Sequence, residues 1–284
     1  MSSRLDRTGA SRRTDKDLAA RGRGARSAGV QERRKLEPDA KFATTLANGL
    51  QILSMMRADG IGVTNAEIAA ELQLKRSSVS RLCSTLLELG YLSKGADGRY
   101  RAAPHVLTLA HPMLASLRLR QRALPDMRDF AELAQANVSL TVMDGLYSIN
   151  IETIRTFDTA PHIPEVGMLV PLELSSMGRA LISMQTDAER ERILEEIARA
   201  RPENWARFGQ EARDEIQKCK ERGFAIALGG FDPTVYAAGA PVCRINENMD
   251  VAVGCAVPAY RLRPGELEEH WGPRLAALAE RLES

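Results

Sequence analysis

The chain has 284 residues, enough for two domains of ordinary size. With 44% apolar and 27% charged residues and no apolar run of the ~18 residues that a membrane helix needs, its composition excludes a disordered chain and a helical membrane protein. The net charge of +2 hides an asymmetry: residues 1–41 hold 12 Lys/Arg against 6 Asp/Glu, residues 42–104 hold 7 against 5, and residues 105–284 hold 20 against 26, so a polyanionic partner is expected at the basic front and a different task behind.

Residues 1–41 lack periodicity and the apolar segment of a secretory signal, and read as a flexible basic arm, either simply solvated or touching nucleic acid. From Thr44 the pattern changes: Leu46, Leu50, Leu53 and Met56 recur at helical spacing until Asp59-Gly60. Thr64-Asn65-Ala66-Glu67 is a capping box and predicts a short helix to Leu72. After Gln73-Leu74 a third helix is predicted, with Val79, Leu82, Cys83, Leu86 and Leu89 on one face and a stop at Gly90. Its other face carries Ser77, Ser80, Arg81, Ser84 and Glu88, flanked by Ser78 and Thr85 and opened by Arg76.

Serine and threonine lower helix propensity by a few tenths of a kcal/mol each, so a face of short hydroxyls needs a reason. Close approach supplies one: hydroxyls bond phosphates or base edges, and an arginine makes two bonds to guanine O6 and N7 in the major groove. Tyr91 to Ser93, the turn Lys94 to Gly98 and Arg99 to Arg101 then read as a hairpin, with Asp97-Gly98 as the turn signal. Three helices and a basic hairpin make a winged helix-turn-helix, with Lys94, Arg99 and Arg101 expected near the phosphates of double-stranded DNA.

Leu107, Ala110, Leu114 and Leu117 form a further helical stripe ending near Arg122, before Pro125. Such a helix serves either as a dimer contact or as packing on its own domain. Dimerisation would set two reading helices about 34 Å apart and predicts a near-palindromic operator.

Beyond Pro125 a helix to Ala136 precedes two strands joined at Asp144-Gly145. Helices follow at Gly178 to Met184, Asp187 to Arg201 and Gly209 to Arg222, then strands at Phe224 to Leu228, Ala237 to Cys243 and Val251 to Val257 with a turn at Asn246-Glu247-Asn248, and a last helix Gly265 to Leu282. The fold class expected is α+β.

Catalysis is not expected. Leu174-Ser175-Ser176-Met177-Gly178 lacks the first glycine of a nucleophile elbow, and His105, His111, His162 and His270 fit neither a triad nor a metal site. Cys83, Cys219, Cys243 and Cys255 form no CxxC or zinc spacing, so no metal or cofactor is expected and a reducing cytoplasm is the predicted setting. Two alternatives stay open for the second domain: a redox module, if Cys243 and Cys255 face each other across the last hairpin, or a purely oligomeric one.

The segments GLQIL at 49–53, AEIAAELQLKRSSVSRLCSTLLELGYL at 66–92, GRYR at 98–101, VGMLVPLELSSMGRAL at 166–181 and RGFAIALGGFDPTVYAAGAPV at 222–242 resemble the IclR-type transcriptional regulators. That resemblance implies a winged domain at 42–103, a linker and dimerisation helix at 104–122 and a GAF-like effector-binding domain at 123–284, in a homodimer or homotetramer whose operator binding responds to a small metabolite. The family usually has glycine where this chain has Gln73, which implies a left-handed residue there at a cost of about 1 kcal/mol. Where the family's binders of small organic acids carry four polar groups, the matching positions are Ala227, Ala237, Gly254 and Ala256, so a bare carboxylate such as pyruvate would be poorly compensated. The expected effector is a larger, more apolar ligand, an aromatic acid or another catabolic intermediate, with a carboxylate on Ser176 and neighbouring amides and with Leu169, Met177, Phe231 and Tyr236 as walls.

Overall fold

The computed structural model describes residues 42–57, 60–156, 164–246 and 249–283. The basic arm, Asp59, His162, Glu247 and Asn248 lie outside the described residues. The chain divides after Ser116 into two compact units.

In the first unit, α1 (Thr44–Ser54), α2 (Asn65–Glu71) and α3 (Arg76–Glu88) precede a hairpin of β1 (Leu92–Lys94) and β2 (Tyr100–Ala102). The capping box forms: the Glu67 amide donates to Thr64 Oγ1 at 3.2 Å and the Thr64 amide to Glu67 Oε2 at 2.6 Å. Gln73, between α2 and α3, is left-handed at φ 54°, as the resemblance implies. Ile52, Ile68, Val79, Cys83, Leu86, Leu92 and Tyr100 close one core.

Two details of the expected apolar faces are corrected. Leu46 and Leu50 are 63% and 52% exposed, because α1 presents Ile52 to the core, with Leu53, Met55 and Met56 beside it. Leu89 is 55% exposed, because α3 ends at Glu88 and its cap lies past the core.

A 3-10 turn at Pro104–Val106 leads into α4 (Leu107–Ser116), in which no residue is buried. The single helix expected as far as Arg122 is interrupted at Leu117, whose φ of −83° and ψ of 86° leave helical geometry; α5 (Arg118–Arg122) follows. Leu117 and Leu119 are both buried in the second unit, so the apolar stripe changes role there.

The second unit is built on a six-stranded antiparallel sheet in the order β5-β4-β3-β8-β7-β6: β3 (Asn137–Asp144), β4 (Tyr147–Ile154), β5 (Leu169–Pro171), β6 (Ala225–Leu228), β7 (Val235–Asn246) and β8 (Met249–Pro258). Successive residues of β3 and β8 are buried, which requires cover on both faces. Helices α7 (Ser176–Ser183), α8 (Asp187–Ala200) and α9 (Pro202–Arg222) cover the face that presents Ala225 and Ala252. Helix α6 (Leu124–Ala134) and α10 (Gly272–Glu283), the latter entered through a π turn at Leu267–Trp271, also pack on the sheet.

Helix α9 starts at Pro202, not Gly209, because proline suits a first turn and Gly209 is mid-helix where a Cβ would lie 2.7 Å from the Trp205 ring. The redox geometry is also overturned. Cys243 pairs with Val251, whereas Cys255 pairs with Ala238 and Val138, so the two thiols do not face each other. Burial pushes Cys83 and Cys219 up to about 11 and Cys255 to about 12, the opposite of an activated thiol.

Candidate nucleic-acid interface and ligand cavity

Helix α3 places its two faces as its sequence pattern dictates. Val79, Cys83 and Leu86 are buried; Arg76, Ser77, Ser80, Arg81, Ser84 and Thr85 are exposed and Ser78 is half-buried. Arg76 and Arg81 have no ion pair among the described residues, so both guanidinium groups are free to meet an anion or a base edge. Two hydroxyls are partly committed. Thr85 Oγ1 donates to Arg81 O at 3.1 Å, the i−4 back-bond of a helical threonine. Ser80 Oγ accepts from Asn65 Nδ2 at 2.9 Å and keeps its own proton to donate. Asn65, which the sequence reading passed over as a mere part of the capping box, thus braces α3 against the start of α2, reaching also Arg76 O at 3.4 Å.

The wing differs from expectation. Lys94 is exposed, its Nζ 5.3 Å from the centroid of the Tyr100 ring. Arg99 and Arg101, expected at the phosphates, turn back instead onto Glu67, Asp97 and the carbonyls of Gly60 to Gly62. The reason is local: Asp97 sits four residues before Arg101 across the turn, and the Gly60 to Gly62 carbonyls lie within reach. The arginine draws Asp97 down to about 2 through that pairing.

In the second unit the N-terminus of α7 lies directly on the sheet. A Cβ on Gly239 would come within 2.5 Å of Met177 N, and one on Gly254 within 2.3 Å of Met177 Cγ. Beside this contact is a cavity of about 100 Å³. Of the expected residues, Ser176, Met177, Ala227, Phe231, Ala237 and Ala256 line it together.

Leu169, Tyr236 and Gly254 do not line it. Met168 and Val170, and Val235 and Ala237, line it instead, so strand alternation carries the intervening Leu169 and Tyr236 to the opposite face. Gly254 is covered by the Met177 side chain. Four polar residues bring hydrogen-bonding capacity to the wall: Asn150, Ser175, Ser176 and Asp232, of which only Ser176 was expected. Ser175 caps α7 by accepting the Gly178 amide at 3.2 Å. Ser176 Oγ is buried and has no protein hydrogen-bond partner among the described residues, and the amides of the first helical turn have no carbonyl within the helix to bond. Asp232 Oδ1 accepts both the amide and the hydroxyl of Thr234.

The α7 end is held rigidly. Arg179, wholly buried, donates to the carbonyls of Glu173 and Ile226 and to Glu211, and Glu173 receives Arg201 in a bidentate pair at 2.8 and 2.9 Å. These contacts join α7, α9 and β6. Among the described residues no cluster of His, Cys, Asp or Glu is arranged to hold a metal ion, and no helix is long and apolar enough to cross a membrane.

A winged helix-turn-helix followed by an α+β unit with an internal cavity is the architecture of a ligand-binding class of bacterial transcriptional regulators. The sequence profile described as the bacterial transcriptional regulator IclR C-terminal domain matches residues 111–283, and that of the IclR helix-turn-helix domain matches residues 45–95. The chain belongs to the IclR family of bacterial transcriptional regulators. It is 26% identical over 252 residues to the Pca regulon regulatory protein of Pseudomonas putida, covering 86% of this chain and 84% of that one. A crystal structure of an IclR family transcriptional regulator from Brucella abortus superimposes with a TM-score of 0.76 at 29% identity, covering 88% of this chain and 94% of that one. An IclR homolog from Microbacterium hydrocarbonoxydans, solved in complex with 4-hydroxybenzoate, shares the fold at 20% identity and a TM-score of 0.66, covering 84% and 98%.

Proposed function

We propose that this chain is a ligand-responsive regulator that reads a near-palindromic operator as a dimer or tetramer in the cytoplasm and is switched by a small aromatic acid, controlling a catabolic operon. The observation that carries the DNA reading is the face of α3: short hydroxyls with unpaired Arg76 and Arg81, set opposite the buried Val79–Cys83–Leu86 stripe. Arg81 reads a guanine, and Ser77, Ser80 and Ser84 let the helix backbone come close. The wholly unburied α4, with Leu107, Leu109 and Met113 exposed, supports its role as the linker and dimer contact.

The cavity favours an acid with one ring. The walls are apolar apart from Asn150, Ser175, Ser176 and Asp232, the pattern of a site that holds an apolar body and fixes it with a few polar groups. Its carboxylate is received by Ser176 Oγ and the Ser176 and Met177 amides of α7, the Gly178 amide being held by the Ser175 cap. Asp232 offers an acceptor for a ring hydroxyl. A hydroxylated aromatic acid such as the 4-hydroxybenzoate held by the Microbacterium homolog has this pattern of groups. The ligand binds the two geometries of the dimer unequally and shifts operator affinity by the same differential.

The test selects a duplex from a random library with the full chain and titrates the complex with aromatic acids, pyruvate and glyoxylate. A selected sequence whose affinity changes at least fivefold with an aromatic acid is the expected result. A response to pyruvate or glyoxylate alone would overturn the ligand assignment.

A further inference from the structure

The two wing arginines are already committed within the first unit. Arg101 donates from Nε to Gly60 O at 2.8 Å, from Nη2 to Ile61 O at 3.0 Å and Asp97 Oδ2 at 2.6 Å, and from Nη1 to Asp97 Oδ1 at 3.1 Å. Four of its five N–H donors are thereby used. Arg99 Nη1 donates to Gly62 O and to Glu67 Oε2, both at 3.1 Å, and Glu67 is the carboxylate that closes the cap of α2.

The backbone is shaped around these contacts. Gly62 is left-handed at φ +76°, and a Cβ there would lie 2.6 Å from Tyr100 O and 2.9 Å from Arg101 Cγ. At Gly95 a Cβ would lie 2.4 Å from Arg101 Nη1. Between the two arginines, Val63 and Tyr100 exchange backbone hydrogen bonds at 2.9 and 2.8 Å. For Arg101 to grip a phosphate it would have to leave the Asp97 carboxylate unpaired beside that same phosphate, and like charges at such range repel. Lys94, by contrast, has no carboxylate partner among the described residues.

We propose that Arg99 and Arg101 are positioning residues: they staple the wing to the turn before α2 and so set its height beside α3, while Lys94 is the wing cation that meets phosphate. This rests on the duplex binding proposed above, and its test separates the two. The full chain and its variants are titrated with the library-selected duplex and with random duplex over a range of salt, and amide exchange is followed at Val63 and Tyr100 without DNA.

Arg101→Ala is expected to lower affinity for the selected duplex about tenfold, to narrow the ratio of selected to random binding and to leave the salt slope unchanged; loss of stability alone would not move that ratio. Arg101→Lys does not rescue, since one ammonium cannot span two carbonyls and both Asp97 oxygens. Lys94→Ala flattens the salt slope by about 1. Both Arg101 variants speed exchange at Val63 and Tyr100. The proposal is overturned if Arg101→Lys binds like the wild type, if Arg101→Ala flattens the slope by about 1, or if exchange at Val63 is unchanged. A wild-type chain that selects no duplex would overturn the DNA reading instead, and the exchange measurement would still decide the staple.

Discussion

Ser176→Ala tests the ligand site directly. Ser176 Oγ is buried against the cavity and bonds no protein group among the described residues, so its proton is available to a ligand carboxylate. A hydrogen bond to a charged group is worth about 1.5–3 kcal/mol, so the variant should bind about 10- to 150-fold more weakly. Titration calorimetry with 4-hydroxybenzoate measures the loss, and scanning calorimetry without ligand checks that the variant is folded. A folded variant that binds the acid with undiminished affinity would refute the reasoning.

Arg201→Met leaves the wholly buried Glu173 without its bidentate partner, and stability should fall by about 3–5 kcal/mol in urea unfolding; a loss below 1 kcal/mol would mean that Glu173 is solvated. The cysteines supply a pH-dependent test. Burial raises each thiol, so the neutral form persists as pH rises and thiolate appears only toward about 11 for Cys83 and Cys219 and about 12 for Cys255. Iodoacetamide at pH 8 should leave these three unmodified until the chain is denatured, and an oxidant that yielded a Cys243–Cys255 disulfide in the native protein would contradict the strand pairing.

What could be read from the sequence was local. The Thr64–Glu67 box and the hairpin at Asp144-Gly145 each depend on neighbours within a few residues, and each formed, whereas the left-handed Gln73 followed from the family resemblance. Choices set by distant packing were less legible. In α1 two apolar ridges compete, and only contact with α3 decides that Ile52 goes inside while Leu46 and Leu50 stay out. At Leu169 and Tyr236 the cavity was placed in the right strands with the wrong parity, and a slip of one residue reverses the face. Asp232 lies between the expected strands Phe224 to Leu228 and Ala237 to Cys243, in a segment given no element, and its place in the cavity wall comes from the packing of that segment beside α7. The inward set of Arg99 and Arg101 was legible only in part: Asp97 lies within the hairpin, but Glu67 and the Gly60 to Gly62 carbonyls lie some thirty to forty residues earlier.

Operator recognition rests above all on α3 lying in the major groove with Arg81 on a guanine. Methylation interference at guanine N7, on the library-selected duplex, tests this directly. Modified guanines in two half-sites about one helical turn apart should block the wild-type chain, and in Arg81→Ala one guanine in each half-site should cease to interfere. Binding that is indifferent to N7 methylation throughout the selected sequence would contradict it.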